Sequence, residues 1–562
     1  MDRNNLSPKM DLPVSNITDL LVLTCHRYAD HPAFSHAGAT LSYFELDRLS
    51  SSFASYLQHH TGLVRGDRIA LLLPNLLQFP IVLFGALKAG LVVVNMNPQF
   101  TPPELQYQLH DSGAKAVVLL SDLAGNLAEV LNATMIEEVV VTGVADCHSP
   151  FVRYWNVITK RLTKPWGSAH KALPKDLVHA INFRQALKIG EARRWESGAT
   201  LSDDLAFLQY TGGTTGRARG VMLTHAQLIA NMQQINDLLE DMVESGAEIV
   251  CVPLPMYHIY SLTFHCLVML SQGSHMILVP NPRDLDSLVA EFAKYPVTFL
   301  AGLNTLFVGL CQHTVFGQLD FSRLKATISG GVALTQSTAV EWQAVTGNRI
   351  LEGYGLTEAS PVVTANRPNA IAHGTVGQPL RDTQVRIIGE EGDILSYGET
   401  GELWVKGPQV MQGYWGKPEE TDQVLVDGWL KTGDVARLDQ QGNIQIVDRK
   451  KDVINISGFT VYPNELEKII SCHPDVLECA AIGIPDDVTG EHIKVYVVSS
   501  NPRLSIRDIR GYCRERLTSY KVPRLVEFRT HLPHNAVGKV LRRQLREEEI
   551  YILQHSKHGR HL

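Results

Sequence analysis

The chain has 562 residues, too many for one ordinary hydrophobic core, so at least two domains are expected. Hydrophobic residues make up 44% and charged residues 19%, a balance that excludes wholesale disorder. The formal net charge of -7 argues against a general nucleic-acid binder, and the 8 Cys contain no C-x-x-C pair, which argues against a zinc ribbon or a disulfide framework.

The N-terminal stretch Met1–Asn16 is polar and lacks the apolar centre of a signal peptide, so a cytoplasmic protein is expected. Leu41–His60 reads as an amphipathic helix, with Phe44, Leu46, Leu49, Phe53 and Leu57 at helical spacing. Arg68–Leu73 reads as a strand, Pro80–Ala89 as a helix, and Val92–Val94 and Ala116–Leu120 as buried strands. The longest apolar run, Ile81–Val94, is broken by Lys88 and glycines and is too short to span a bilayer. Alternating strand and helix signals predict a mostly parallel α/β sheet.

From Asp146 to Ser197 the texture changes. Arg153, Lys160, Arg161, Lys164, Lys171, Lys175, Arg184, Lys188, Arg193 and Arg194 are interleaved with Trp155, Trp166 and Trp195. Two readings stand: a solvated surface excursion, or a contact with anionic lipid through basic side chains and interfacial Trp.

The α/β pattern resumes at Asp204, and Leu205–Leu208 is a strand candidate. It leads into Tyr210-Thr211-Gly212-Gly213-Thr214-Thr215-Gly216-Arg217-Ala218-Arg219-Gly220. Glycines let backbone N–H groups approach phosphate oxygens, the Thr hydroxyls add donors, and Arg219 adds charge. The segment is not a Walker A loop. Gly353-Tyr354-Gly355-Leu356-Thr357-Glu358 offers a hydroxyl for phosphate and a hard carboxylate oxygen for Mg²⁺.

From Gly374 short strands with Gly turns, Val385–Ile388, Gly401–Lys406 and Asn443–Val447, predict a β-rich subdomain. Within it, Thr432-Gly433-Asp434 supplies a carboxylate able to accept from both hydroxyls of a ribose, and Arg449 can approach the same sugar. The charged run Asp448-Arg449-Lys450-Lys451-Asp452 marks a domain boundary. Beyond it, Asn464–Ser471, Glu478–Ile484, Ile493–Val498 and Ile506–Leu517 read as a compact α+β unit. Near its end, Gly538-Lys539 among further basic residues offers a compact mobile cation.

Taken in this order, the motifs resemble the adenylate-forming superfamily of acyl-CoA synthetases, luciferases and peptide-synthetase adenylation domains, most closely the bacterial long-chain fatty-acid–CoA ligases. The resemblance covers nearly the whole chain. It rests on Leu205–Gly216, Pro255-Met256-Tyr257-His258-Ile259, Asn281-Pro282-Arg283-Asp284, Leu351–Glu358, Val405–Tyr414, Val447–Asp452, Val461–Glu465 and Leu532–Arg546.

The resemblance implies a large N-terminal domain, residues 1–447, built of α/β subdomains and a β-rich subdomain. A hinge at 448–452 and a small mobile α+β domain at 453–562 follow. The implied reaction is ATP-dependent activation of a fatty acid as acyl-AMP, then thioester formation with coenzyme A, with Mg²⁺ as cofactor. Thr211 to Gly216 with Arg219 would hold the β- and γ-phosphates; Gly330, Gly331, Tyr354 and Gly355 would line the nucleotide. Thr357 would meet the α-phosphate, Glu358 the metal, and Asp434 and Arg449 the ribose. Lys539 would bridge the attacking carboxylate and the α-phosphate. Tyr257 and His258 would meet the acyl group, with the catalytic His258 between the adenylate and the acyl tunnel, and Gly302, Leu303, Asn304 and Thr305 would form tunnel wall. Rotation about Lys451 would withdraw Lys539 and turn Ser457, Gly458 and Phe459 toward pantetheine.

Peripheral contact with the inner membrane surface and a homodimer are further expectations from the family. The chain departs from the family pattern twice: Arg219-Gly220 replaces the usual Lys-Gly, and Ser329 stands where relatives carry Gly. Two alternatives remain open: a fatty acyl-AMP ligase serving another acceptor such as an acyl carrier protein, and a non-catalytic binding protein.

Overall fold

The computed structural model describes residues 14–149, 174, 177–198, 200–211, 218–456, 459–486, 489–535 and 538–558. An eight-stranded sheet runs in the order Gly413–Tyr414, Arg219–Thr224, Leu205–Thr211, Val92–Asn95, Arg68–Leu72, Ala116–Leu120, Glu138–Thr142, Ile181–Asn182. From Leu205–Thr211 to Ile181–Asn182 its neighbours are parallel, and the strand Ala116–Leu120 is a near-continuous apolar run, as burial on both faces requires. At the other edge each of the last two strands is antiparallel to its neighbour.

A nine-stranded sheet has the order Gln378–Pro379, Val362–Ala365, Ile350–Gly355, Ala326–Ser329, Phe299–Gly302, Ile249–Val252, His275–Leu278, Pro32–His36, Ala39–Ser42. One apolar core joins Leu71, Val93 and Phe207 of the first sheet to Phe34, Val252 and Phe299 of the second. Phe53, Leu83, Leu228 and Phe264 from helices belong to it as well. Further helices cover the outer faces, through Leu105, Leu109 and Leu127 on the first sheet and Leu288, Phe307 and Trp342 on the second.

The predicted helix at Leu41–His60 is Tyr43–His60, begun by a capping box between Ser42 and Glu45. It begins two residues later than predicted; Leu46, Phe53 and Leu57 are buried, but Phe44 is 59% exposed, because two residues before Leu46 it lies about 200° round the helix, on the opposite face. It packs on helix Gln78–Lys88, in which every residue is buried. The run Ile81–Val94 is therefore core, a helix and a strand joined through Gly90 at φ +78°. Among the described residues no helix is long and apolar enough to cross a membrane.

The predicted β-rich subdomain is a five-stranded antiparallel sheet of Gln384–Ile388, Thr400–Lys406, Leu425–Val426, Trp429–Leu438 and Ile444–Arg449. After the single turn Lys450–Asp452 comes a smaller unit. It has a second five-stranded sheet, helices Pro463–Ile470 and Ile506–Arg514, and a core of its own around Ile454, Leu466, Val495 and Ile509. A separate core is the physical mark of a separate domain.

Of the basic Trp-containing stretch, Arg153, Lys160, Arg161, Lys164, Lys171, Lys175, Trp155 and Trp166 lie outside the described residues. Its C-terminal end packs along the helix Tyr43–His60: Ser55 Oγ donates to Arg193 O at 2.7 Å and Gln58 Nε2 to Glu196 O at 3.0 Å. Trp195 lies beside the buried Lys88, whose Nζ is 5.7 Å from its ring centroid.

Candidate active site

A cleft of about 1420 Å³ opens where strands Ala326–Ser329, Ile350–Gly355 and Leu205–Thr211 end, the place where parallel α/β sheets hold ligands. The antiparallel sheet and the small domain close it.

Two of the predicted residues meet through strand register. Asp434 lies opposite Arg449 in the pair Trp429–Leu438 and Ile444–Arg449, and Arg449 Nε is 3.1 Å from Asp434 Oδ1. Tyr354 donates its hydroxyl to Asp434 Oδ2 at 2.6 Å, so both oxygens of this buried carboxylate are engaged. Proximity to Asp434 raises the Arg449 pKa further. Burial, with Asp434 next, pushes the Tyr354 phenol well above its ordinary value.

The segment after Tyr354 folds back tightly. A Cβ at Gly355 would sit 2.0 Å from Pro361 O, so only glycine fits there. Leu356 N donates to Pro361 O at 2.9 Å, and this turn presents Thr357 and Glu358 to the cleft. Glu358 Oε1 accepts from Tyr414 Oη at 2.9 Å.

Arg219 begins the strand after the Gly/Thr loop. Its Nε is 3.0 Å from Glu420 Oε2 and its guanidinium lies 4.8 Å from the Tyr414 ring centroid, at the cleft wall. Thr211 lines the cleft, whereas Gly212, Gly213, Thr214, Thr215 and Gly216 lie outside the described residues. Just before the loop, Tyr210 Oη donates to Asp111 Oδ2 at 2.6 Å.

Lys539 enters from the small domain. The backbone of Gly538, at φ +73°, lies against the large domain, where a Cβ would come 3.1 Å from Thr305 Oγ1 and 3.8 Å from Leu303. Lys539 N donates to Asn535 Oδ1 at 2.8 Å. Burial first, then the charge of Arg449, push the Lys539 ammonium down to about 8, with Asp434 pulling the other way.

Next to it, Arg542 binds Glu467 at 2.6 Å, Asp452 at 3.4 Å and Asp448 at 3.7 Å, and Arg546 binds Asp452 at 2.8 Å. Across the Lys450–Asp452 turn, Asn464 N donates to Asp448 Oδ2 at 2.7 Å. Burial raises the Asp448 carboxyl to about 6, although Arg542 opposes this. Lys451 lines the cleft, and burial lowers its ammonium to about 8.

Tyr257 and His258 line the cleft as predicted. His258 Nδ1 accepts from Tyr260 N at 3.3 Å, and burial lowers the imidazole to about 4, which keeps it neutral at pH 7. An apolar arm of the cleft is built by Ile235, Leu238 and Leu239 of helix His225–Leu239 and by Phe264. Gly302, Leu303, Asn304 and Thr305, predicted as tunnel wall, are not part of the cleft lining. Gly302 packs on Phe307, Asn304 Oδ1 accepts from Thr335 N at 3.0 Å, and Leu303 and Thr305 face Gly538.

Gly330 and Gly331 do line the cleft, Gly331 at φ +82°. Beside them the Ser329 hydroxyl is buried with no hydrogen-bond partner among the described residues. It is the register neighbour of Glu352, whose carboxyl burial raises to about 7. Phe459 is 55% exposed and stacks on Tyr520 with ring centroids 4.7 Å apart, outside the cleft; Ser457 and Gly458 lie outside the described residues.

Sequence reasoning assigned no part to Tyr414, Glu420, Asp111 or Glu352. Tyr414 and Glu352 lie in segments that carry the resemblance, but the sequence does not show the contacts of any of the four, which are made with distant segments.

Among the described residues no three His, Cys, Asp or Glu side chains gather as a metal cluster. Glu358 with the Thr357 hydroxyl is a sparse donor set. That suits Mg²⁺, which keeps several waters and is held by one or two carboxylates plus substrate phosphates.

The AMP-binding enzyme family matches residues 22–415, and its C-terminal domain family matches residues 465–539. This chain belongs to the AMP-binding enzymes. Similar AMP-binding enzymes include a long-chain-fatty-acid–CoA ligase of Yersinia pestis, 44% identical over 544 residues that span 96% of this chain and 95% of the relative. One of Escherichia coli O6:H1 is 45% identical over 535 residues, 95% of this chain and 94% of the relative. Among solved structures, ATP-bound MatB from Rhodopseudomonas palustris has a TM-score of 0.79 at 28% identity, covering 95% of this chain and 99% of its own. An anthranilate CoA ligase in complex with anthranoyl-AMP has a TM-score of 0.83 at 22% identity, covering 96% and 98%, and shares the fold of a large α/β domain with a smaller C-terminal one.

Proposed function

We propose that this AMP-binding enzyme is a long-chain fatty-acid–CoA ligase. A fatty carboxylate attacks the α-phosphate of ATP to give acyl-AMP and pyrophosphate, and the thiol of coenzyme A then displaces AMP to give the thioester. The observation that carries the reading is the place of Lys539, half-buried on the wall of the cleft beside the Asp434–Arg449 pair. A cation there offsets the charge that builds when two anions meet, and in a dry site it acts strongly. The long-chain class of the acid follows the names of the relatives at 44–45% identity, and the apolar arm formed by Ile235, Leu238, Leu239 and Phe264 suits an alkyl chain.

In this reading Asp434 and Arg449 hold the ribose, while Gly330, Gly331, Tyr354 and Gly355 line the base. Thr211, Gly212, Gly213, Thr214, Thr215, Gly216 and Arg219 hold the outer phosphates, and Thr357 meets the α-phosphate. Glu358 would hold Mg²⁺, which supplies charge neutralisation to the phosphates. His258, neutral at its depressed pKa, stands between the adenylate and the acyl arm. The large domain extends to about residue 447 and the small domain starts at about 453, with Lys451 as hinge. The described arrangement is the adenylating one; rotation would exchange Lys539 for the segment Ser457, Gly458, Phe459 on the coenzyme A side.

The test is coupled detection of pyrophosphate and AMP with oleate as the acid. Pyrophosphate release requiring ATP and oleate, with multiple-turnover AMP release requiring coenzyme A, is the expected result. AMP release equally fast with an acyl carrier protein and no coenzyme A would overturn the thioester assignment.

A further inference from the structure

One short segment fixes Glu358 from two directions. Met411 N donates to the Glu358 carbonyl at 2.9 Å, and Tyr414 Oη donates to Oε1 of its carboxylate at 2.9 Å. Tyr414 is itself held on every side. It pairs with Val221 in antiparallel register, its N–H donates to Thr421 Oγ1 at 2.9 Å, and its ring is buried in the main core. The Arg219 guanidinium, anchored 3.0 Å from Glu420, covers the ring 4.8 Å from its centroid.

A phenol so fixed presents one O–H at one point in space, and one O–H occupies one carboxylate oxygen. Oε2 of Glu358 takes no hydrogen bond among the described residues. A carboxylate that must meet a hard cation through one oxygen gains from having the other pinned. The pin selects the orientation in advance and reduces the ordering lost on binding.

We propose that Tyr414 is a positioning residue that holds Glu358 through Oε1, so that Oε2 is presented to the divalent cation accompanying the nucleotide. This rests on Glu358 as the cation-binding carboxylate of the proposed function. It also gives Arg219 a part besides its charge, as the clamp on the Tyr414 ring.

Tyr414→Phe removes the hydroxyl and keeps the ring in its packed place. The full-length protein is titrated with Mn²⁺ in the presence of α,β-methylene ATP, and bound ion is followed by electron paramagnetic resonance. The variant should bind Mn²⁺ about tenfold more weakly than wild type, the low end of what removing an outer-shell partner costs. Pyrophosphate release should need correspondingly more Mg²⁺, and excess Mg²⁺ should restore the rate, with KM for the fatty acid unchanged.

Wild-type Mn²⁺ affinity in Tyr414→Phe would overturn the inference, as would a lost rate that excess Mg²⁺ does not rescue. Glu358→Gln separates the two levels of the argument. If it binds Mn²⁺ as tightly as wild type, the cation is not held by Glu358 and the premise falls. If it loses Mn²⁺ while Tyr414→Phe does not, only the positioning role falls.

Discussion

Gly538 of the small domain lies so close to Thr305 of the large domain that a Cβ on the glycine would come within 3.1 Å of the threonine hydroxyl oxygen. That approach seats Lys539 in the cleft. Lys539→Ala is therefore expected to slow pyrophosphate release by roughly 3 kcal/mol in barrier height, the scale of one well-placed charge in a dry transition state. Thioester formation from supplied acyl-AMP should be largely retained. Equal losses in the two half-reactions would contradict the assignment.

The same lysine predicts a pH dependence. Burial lowers its ammonium to about 8, so at pH 7 it is mostly charged and above pH 8 mostly neutral. Pyrophosphate release in the adenylation step should fall on the alkaline side of about pH 8. Thioester formation from supplied acyl-AMP should lack this limb, because Lys539 takes no part in it. A pH profile of each half-reaction checks the difference.

Lys451 sits in the one-turn link between the domains. Proline there fixes φ and removes a backbone donor. Lys451→Pro is expected to form acyl-AMP and fail to transfer it to coenzyme A. Unchanged turnover with coenzyme A would show that rotation pivots elsewhere.

Arg219 spreads its contacts between Glu420 and the Tyr414 ring. Arg219→Lys keeps the charge and loses the flat face that covers the ring. Activity should stay within about tenfold of wild type, about 1.4 kcal/mol, with the change in KM for ATP. Arg219→Ala should cost more and leave the acyl-chain preference alone. An ATP titration of pyrophosphate release over several acids reads both effects.

Gly355 admits no side chain, because a Cβ would fall 2.0 Å from Pro361 O. Overpacking of a tight interior costs about 1–3 kcal/mol, and here the obstacle is backbone, which yields less readily. Gly355→Ala should lower Tm and also impair adenylation, since the tight turn carries Thr357 and Glu358. Thermal melting and the pyrophosphate assay test the two together.

The chemistry was legible in the sequence where it is written in contiguous runs. Gly353 to Glu358, Thr432 to Asp434 and Gly538-Lys539 each carry their geometry in a local turn or strand, and each run brings residues to one cleft. For residues that act through long-range pairing the sequence did not show the partner. Tyr414 reaches Glu358 only because Gly413–Tyr414 pairs with Arg219–Thr224, and Glu420 reaches Arg219 the same way. Strands such as Ala116–Leu120 were legible because burial on both faces demands an apolar run. Phe44 was misread because it stands two residues before Leu46, which places it on the opposite face of the helix. Gly302 to Thr305 were placed in the acyl wall by family resemblance; the side chains of Leu303 and Thr305 meet Gly538, and that of Asn304 meets the Thr335 turn.

The exposed stack of Phe459 on Tyr520 lies outside the cleft that Lys539 lines. In the proposed scheme the protein thus works by time-sharing: one cavity serves two chemistries in succession, and the tool for the second is stowed outside while the first is in use. The order of events is imposed by which face of one small domain is turned inward, and the activated acid stays under cover until that face is exchanged.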